Sequence, residues 1–223
     1  MGWIVHADDA LLVVNKPAGL LSVPGRGADK QDCAWHRVQA QWPRAGVVHR
    51  LDMATSGLLV FALGLDAQRT LSAAFEQRRV TKRYLAWVAG QPDADGGLID
   101  LPLAADWPNR PRQAVDQVNG RPSQTRWRVL RRAPSGHALL ELQPLTGRSH
   151  QLRVHLLAMG WPILGDLLYG APPAARLMLH AAELELPHPA DGQACHWRCE
   201  PDDLFPLHDP CANASNSPRP IAC

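Results

Sequence analysis

The run Gly57-Leu58-Leu59-Val60-Phe61-Ala62-Leu63 constrains the fold more than any other stretch of the chain. It is too short for a buried helix and lacks the alternation of a half-exposed strand. It therefore predicts a strand covered on both faces, at the middle of a sheet. Such a strand needs neighbours on both edges and a layer on each side. The 223 residues suffice for that, with 46% apolar and 20% charged side chains, ordinary values for a globular chain. Collagen-like, coiled-coil and wholly disordered folds are excluded. No run approaches the ~18 apolar residues of a membrane span. Met1 to His6 has no basic region followed by an apolar run. A cytoplasmic chain is expected, with no membrane partner.

The other elements group around that strand. Trp3 to His6 and Leu11 to Asn15 read as strands separated by Asp8-Asp9. Asp32 is placed to cap a short helix running to about Gln41. Val47 to Leu51 reads as a strand that delivers Asp52. Asp66 is placed to cap a helix with Leu71 and Phe75 on one face. Thr81 to Gly90 is a further strand, and residues 91–122 read as proline-rich loop. Gln124–Leu130 and Ala138–Leu142 form a hairpin around Pro134-Ser135-Gly136. Ser149 is placed to cap a helix through Met159, with Leu152, Leu156 and Met159 at core spacing. Leu177–Leu186 and Gln193–Cys199 flank the turn signal Asp191-Gly192. The expected fold class is α+β: one domain over residues 1–207 around a mixed, largely antiparallel central sheet flanked by helices and loops. Residues 208–223, rich in Asn, Ser, Pro and Ala, are expected to be a disordered tail.

The formal net charge is only +2, but it is unevenly spread. Residues 36–176 carry eighteen basic against ten acidic side chains, while residues 177–223 carry two against seven. Twenty of the 23 cations are Arg, whose planar fork donates bidentate hydrogen bonds to phosphate. A basic middle is the footprint of a polyanionic partner, or of an ordinary solvated surface in an Arg-rich chain. Five cysteines, an odd number, form no disulfide framework. Cys195, His196, Cys199 and His188 show no second pair at finger spacing, so no metal site is expected.

Three stretches can carry chemistry. In Gly46–Gly57, GVVHRLDMATSG, Arg50 and Asp52 are two residues apart at the mouth of a small-residue loop. A sheltered carboxylate with a cationic neighbour suits a nucleophile or base, and it equally suits a structural ion pair at a turn. In Leu145–His155, LTGRSHQLRVH, the polar side chains are Arg148, His150, Gln151, Arg153 and His155. Arg148 near a helix start is disfavoured by the dipole and implies an anionic partner. Arg153 among apolar neighbours needs a carboxylate, for which Asp52 is the candidate. In Val80–Trp87, VTKRYLAW, Lys82 and Tyr84 share a strand face. Tyr84 there either stacks on a planar base or packs across strands. Arg110, Arg112, Arg126 and Arg128 lie on a loop and hairpin interleaved with Trp107 and Trp127, a pattern suited to RNA and equally found in an ordinary charged hairpin.

These blocks together resemble the RluA-type pseudouridine synthases. His49-Arg50-Leu51-Asp52 with Thr55-Ser56-Gly57 resembles that family's catalytic motif. Asn15-Lys16-Pro17-Ala18-Gly19-Leu20, Lys82-Arg83-Tyr84, Leu145–His155, Gly165-Asp166-Leu167-Leu168-Tyr169-Gly170 and Leu179-His180-Ala181 resemble its other elements, in order. The resemblance spans about residues 3–207. It is greatest to the branch without an N-terminal S4 domain that is dual in target, modifying large-subunit (23S-type) ribosomal RNA and a tRNA anticodon stem-loop.

The resemblance implies isomerisation of uridine to pseudouridine in structured RNA, without a cofactor or metal, by a monomer. It assigns the catalytic positions to Asp52, Tyr84 and Arg153. Arg50 takes the place left by the flipped base. His49, Lys82, Arg148, His150, Gln151 and Leu179 are implied substrate contacts, while Arg110, Arg112, Arg126 and Arg128 are expected as RNA contacts from the basic pattern above. Target choice within the family stays open, with ribosomal RNA alone or another tRNA position as the alternative. A non-catalytic RNA-binding module and a carboxylate-dependent hydrolase remain as other classes. The hydrolase would need a second carboxylate near Asp52, whereas Glu76 and Asp66 are expected on a helix away from the loop.

Overall fold

The computed structural model describes residues 2–209. The 57–63 run forms β4 (Ser56–Leu63), in which every residue is buried. Its two faces pack on different layers. Leu58, Val60 and Ala62 meet Leu71 and Ala74 of helix α2 (Leu65–Glu76). Leu59, Phe61 and Leu63 meet Ala34 and Val38 of helix α1 (Ala34–Gln39). Each buried Leu or Phe contributes about 1.5–3 kcal/mol by leaving water, so a polar residue on either face would break the layer.

One ten-stranded sheet holds the remaining strands except a small hairpin. Besides β4 it contains β1 (Ile4–Ala7), β2 (Leu11–Lys16), β3 (Ala45–Val47), β5 (Thr81–Ala89), β6 (Gly96–Asp100), β9 (Gln124–Arg132), β10 (His137–Pro144), β11 (Leu179–Pro187) and β12 (Ala194–Arg198). The order is β1-β2-β4-β11-β5-β10-β9-β6, with β3 on β4 and β12 on β11. Pairing is antiparallel except between β4 and β11, which meet in parallel at Ser56–His180 and Gly57–Ala181. The expected mixed, largely antiparallel α+β sheet is therefore what forms. Gly57 has φ 112°, and a Cβ there would collide with the Ala181 carbonyl oxygen. Among the described residues no helix is long and apolar enough to cross a membrane.

Several expected boundaries move. The strand drawn over Val47–Leu51 ends at Val47, because His49 Nε2 accepts the Val60 N–H at 3.0 Å in place of a strand carbonyl. Asp32 does not cap α1: Cys33 Sγ accepts from His36 N, and Asp32 pairs with Arg37 at 2.6 Å. Gly64, not Asp66, precedes α2, so Asp66 lies inside the first turn. Helix α3 spans Gln151–Ala158 and starts after His150 rather than at Ser149, and Met159 is 40% exposed instead of core. The 91–122 segment holds β6 and a separate hairpin of β7 (Leu103–Ala105) and β8 (Gln113–Val115). These strands carry no legible signal, since β6 buries only Ile99 and the hairpin strands are three residues each. The expected tail falls outside the described residues from position 210 onward.

Candidate active site

The loop after β3 is held in place mainly by the segment following β2. Ser22 clamps Leu51 from both sides: its hydroxyl donates to Leu51 O at 2.7 Å and accepts from Leu51 N at 3.0 Å. Lys16 is fully buried, and Nζ donates to the carbonyls of Pro17, Leu20 and Met53 at 2.9, 2.7 and 3.1 Å. Three carbonyl acceptors are the surroundings of an ammonium. Burial pulls its pKa down to about 7, with the charge of nearby Asp52 opposing. Gly19 N donates to Met53 O, and Thr55 N closes a turn on Asp52 O. Asp52 is thereby fixed at the edge of a cleft of about 1540 Å³.

Arg153 reaches that carboxylate from α3. Its Nη1 donates to Asp52 Oδ2 at 3.1 Å, while Nε and Nη2 make a bidentate pair with Asp166 at 2.7 Å each. Asp166 is 3% exposed and Arg153 7%. Burial disfavours the Arg153 cation, but the hydrogen bonds and charge of Asp166, and then Asp52, outweigh it and raise its pKa. The Tyr169 ring lies against the same guanidinium at 5.0 Å. His150 completes the group, with φ 54°, Nδ1 at 2.8 Å from Tyr169 Oη and Nε2 at 3.9 Å from Asp52 Oδ2.

Tyr84, on β5, lies opposite Ala181 of β11 and Leu142 of β10 and lines the cleft. Burial, and then the charge of Asp52, raises its phenol pKa, so the hydroxyl stays protonated. Leu179 forms an apolar wall. Arg50, Lys82, Arg110 and Arg148 line the same cleft, and none of these four forms an ion pair among the described residues. Burial lowers the pKa of Lys82 and of Arg148, and neighbouring Arg121 and Arg78 push Arg148 further down. Among the described residues the Arg148 side chain has only the Pro122 carbonyl, at 3.4 Å from Nε, as hydrogen-bond partner. The cleft is thus rimmed by four cations that pair with no carboxylate among the described residues, with Glu76 also in its lining.

Other expected contacts are engaged within the protein. Gln151 has its amide saturated: Oε1 accepts from Thr146 Oγ1 and Arg148 N, and Nε2 donates to Gln124 O and Thr125 Oγ1. It shapes the loop and has no group left for a substrate. His49 uses Nε2 on Val60 and stacks on Phe75 at 4.6 Å, which makes it a wall of the cleft. Arg112 turns inward over Tyr169 at 5.3 Å. Arg128 pairs with Glu141, and Arg126 sits opposite Gln143, on the sheet face turned away from Tyr84, Leu142 and Trp127. Those two arginines do not line the cleft. Residue reasoning missed Asp166, Tyr169, Lys16 and Ser22. The first three belong to the resembling blocks, but only the fold brings them to Asp52.

Comparison with known proteins agrees with this geometry. The family model described as RNA pseudouridylate synthase matches residues 10–158. The chain is 50% identical over 201 residues to "Dual-specificity RNA pseudouridine synthase RluA" of Yersinia pestis, covering 88% of this chain and 98% of that protein. It is 49% identical over 206 residues to the protein of that name in Escherichia coli K12, covering 90% and 94%. Among solved structures, Human RNA Pseudouridylate Synthase Domain Containing 4 superposes with a TM-score of 0.75 at 28% identity, covering 92% of this chain and 90% of that one. Human RNA Pseudouridylate Synthase Domain Containing 1 gives 0.73 at 31%, covering 90% and 83%. By the family model and by these relatives together, the chain belongs to the RNA pseudouridylate synthases.

Proposed function

We propose that this chain isomerises uridine to pseudouridine in structured RNA with Asp52 as its catalytic carboxylate. The observation that carries the reading is the Asp52–Arg153–Asp166 array at the edge of a cleft lined by cations that pair with no carboxylate among the described residues. The bond from C1′ to uracil N1 breaks with its electron pair on the base. The base turns, C5 joins C1′, C5 loses a proton and N1 gains one. Nothing is oxidised, reduced or added, so the balance needs no cofactor. Asp52 acts by adding to C1′ or by taking the C2′ proton, and each route needs it ionised, as Arg153 favours. Tyr84 offers a neutral aromatic face to the flipped uracil, and Arg50 is exposed at the mouth to fill the gap left in the RNA. Lys82, Arg110 and Arg148 supply phosphate contacts. A hydrolase would need a second free carboxylate beside Asp52; Asp166 has both oxygens held by Arg153, whereas Glu76, expected away from the loop, lines the same cleft from the end of α2.

For the target, we favour both a large-subunit ribosomal RNA and a tRNA anticodon stem-loop, because relatives near 50% identity over nearly their whole length carry the dual-specificity name. Function as a cytoplasmic monomer, with residues 1–207 as the catalytic domain, belongs to the same proposal. The test is purified protein mixed with unmodified tRNA and large-subunit transcripts, then carbodiimide-blocked primer extension. Modification of both is expected. An Asp52→Ala protein that still made pseudouridine would overturn the assignment.

A further inference from the structure

His150 is the residue before α3, held in a left-handed conformation that few side chains adopt. Such geometry persists where the surroundings enforce it, often at a functional site. The enforcing contact is Tyr169. Its hydroxyl oxygen accepts the Gln113 backbone N–H at 2.9 Å, and His150 Nδ1 lies 2.8 Å away. Among the described residues no other acceptor stands within hydrogen-bond distance of that hydroxyl, so donation to His150 Nδ1 is the arrangement that leaves its proton paired. The imidazole then carries its proton on Nε2. That nitrogen faces the cleft 3.9 Å from Asp52 Oδ2, too far for a hydrogen bond. Burial lowers the His150 pKa, the charge of Asp52 opposing and that of Arg153 assisting, which keeps the ring neutral.

A neutral N–H beside the catalytic carboxylate neither quenches it nor competes with Arg153. It is aimed at whatever adjoins C1′ once the ribose rests against Asp52. The atom there that gains negative charge as the C1′–N1 bond breaks is the uracil O2, bonded to the carbon next to N1. We propose that His150 is a further catalytic residue: its Nε2–H donates to uracil O2 as the glycosidic bond opens, and Tyr169, anchored by Gln113, is the positioning residue that sets its tautomer. This rests on the isomerase reading above and adds the group that stabilises the departing base.

Two measurements separate the parts. On free protein labelled with 15N-histidine, His150 is expected to show the Nε2–H tautomer, and Tyr169→Phe is expected to mix the two tautomers. A pure Nδ1–H form in the unsubstituted protein would overturn the inference whatever the activity. In turnover, His150→Gly keeps the backbone conformation accessible, and His150→Asn serves as a second variant that tolerates it. Each should lower kcat roughly 10- to 100-fold with KM changed by less than about threefold. A 2-thiouridine at the target should slow the unsubstituted protein about tenfold and leave the Gly variant unaffected, since its donor is already gone. Equal thio effects in both would sink the contact to O2. An unsubstituted protein that made no pseudouridine would overturn the isomerase reading and the O2 contact with it, while the tautomer result would stand apart.

Discussion

Arg153 Nη1 meets Asp52 Oδ2 at 3.1 Å across 101 residues of sequence. The pair exists because Asp166 holds the other side of the guanidinium, and the carboxylate it faces is only part-buried. The arginine is thus anchored first to Asp166 and only then offered to the site. Asp166→Asn weakens the anchor and leaves a buried cation under-compensated. A loss of about 3–5 kcal/mol is expected, the range for removing one partner of a buried pair. Urea unfolding would read it, and turnover should fall by at least tenfold. Asp52→Asn, at the wetter end, should change stability by less than ~1 kcal/mol and abolish turnover.

Tyr84→Phe keeps the ring proposed to stack on the base and removes the buried hydroxyl. RNA affinity is expected to stay within about threefold while turnover drops by two orders of magnitude or so. Binding by filter retention and single-turnover kinetics would separate the two effects. Equal losses in both would mean that the ring and the hydroxyl have no separate roles.

His49 links stability to acid. Burial, assisted by the charge of Lys82, lowers its pKa from 6.5 to about 3. The folded form therefore keeps the ring neutral where the unfolded chain takes up a proton. Stability present above pH 6.5 is lost as the pH falls towards 3. At pH 5 the loss from this residue alone is about 1–2 kcal/mol. Urea unfolding at pH 7 and pH 5, repeated with His49→Gln, should show a shallower pH dependence in the variant.

Lys16→Met removes the donor to three carbonyls, one of them that of Met53 next to Asp52. Orphaned carbonyls that are buried cost about 1–3 kcal/mol each, and loop relaxation recovers part of that. The variant should unfold at lower urea and show a turnover loss larger than its loss of RNA affinity, because the loop carrying Asp52 then keeps only the Ser22 clamp and the Gly19 N–H.

The arginines should divide by sheet face. Arg110→Ala is expected to weaken RNA binding and reduce the slope of log affinity against log salt by about one. Arg126→Ala and Arg128→Ala should leave binding within about twofold, since a solvated ion pair on the far face contributes little. Filter binding at several salt concentrations measures both.

The sequence made β4, the α+β class and the Asp52–Arg153 pair legible because each rests on a strong local signal: an unbroken apolar run, hairpin turns, or a charged residue out of place in a helix. Other features were hidden by their locality. Asp32 and Asp66 have the chemistry of caps, yet Cys33 and Gly64 precede the helices, so cap chemistry alone did not fix the boundary. Arg126 and Arg128 share a strand face as alternation requires, but alternation does not say which face meets the cleft. Asp166 and Tyr169 sit in a short turn with no periodicity, and their role appears only when α3 brings Arg153 and His150 beside them.

The parallel contact between β4 and β11 has a consequence for assembly. It is two residue pairs long, and it is the seam between two halves of the sheet. Asp52 belongs to the β3–β4 side, whereas Tyr84 and Arg153 belong to the side built from β5, β10 and α3. Neither half holds a working set of groups by itself. Catalytic competence therefore arises only when the seam closes, and a folding intermediate with one half formed would be inert towards RNA chemistry. Gly57 stands in that seam, where a Cβ would collide with the Ala181 backbone, so the meeting of the two halves depends on the absence of a side chain there.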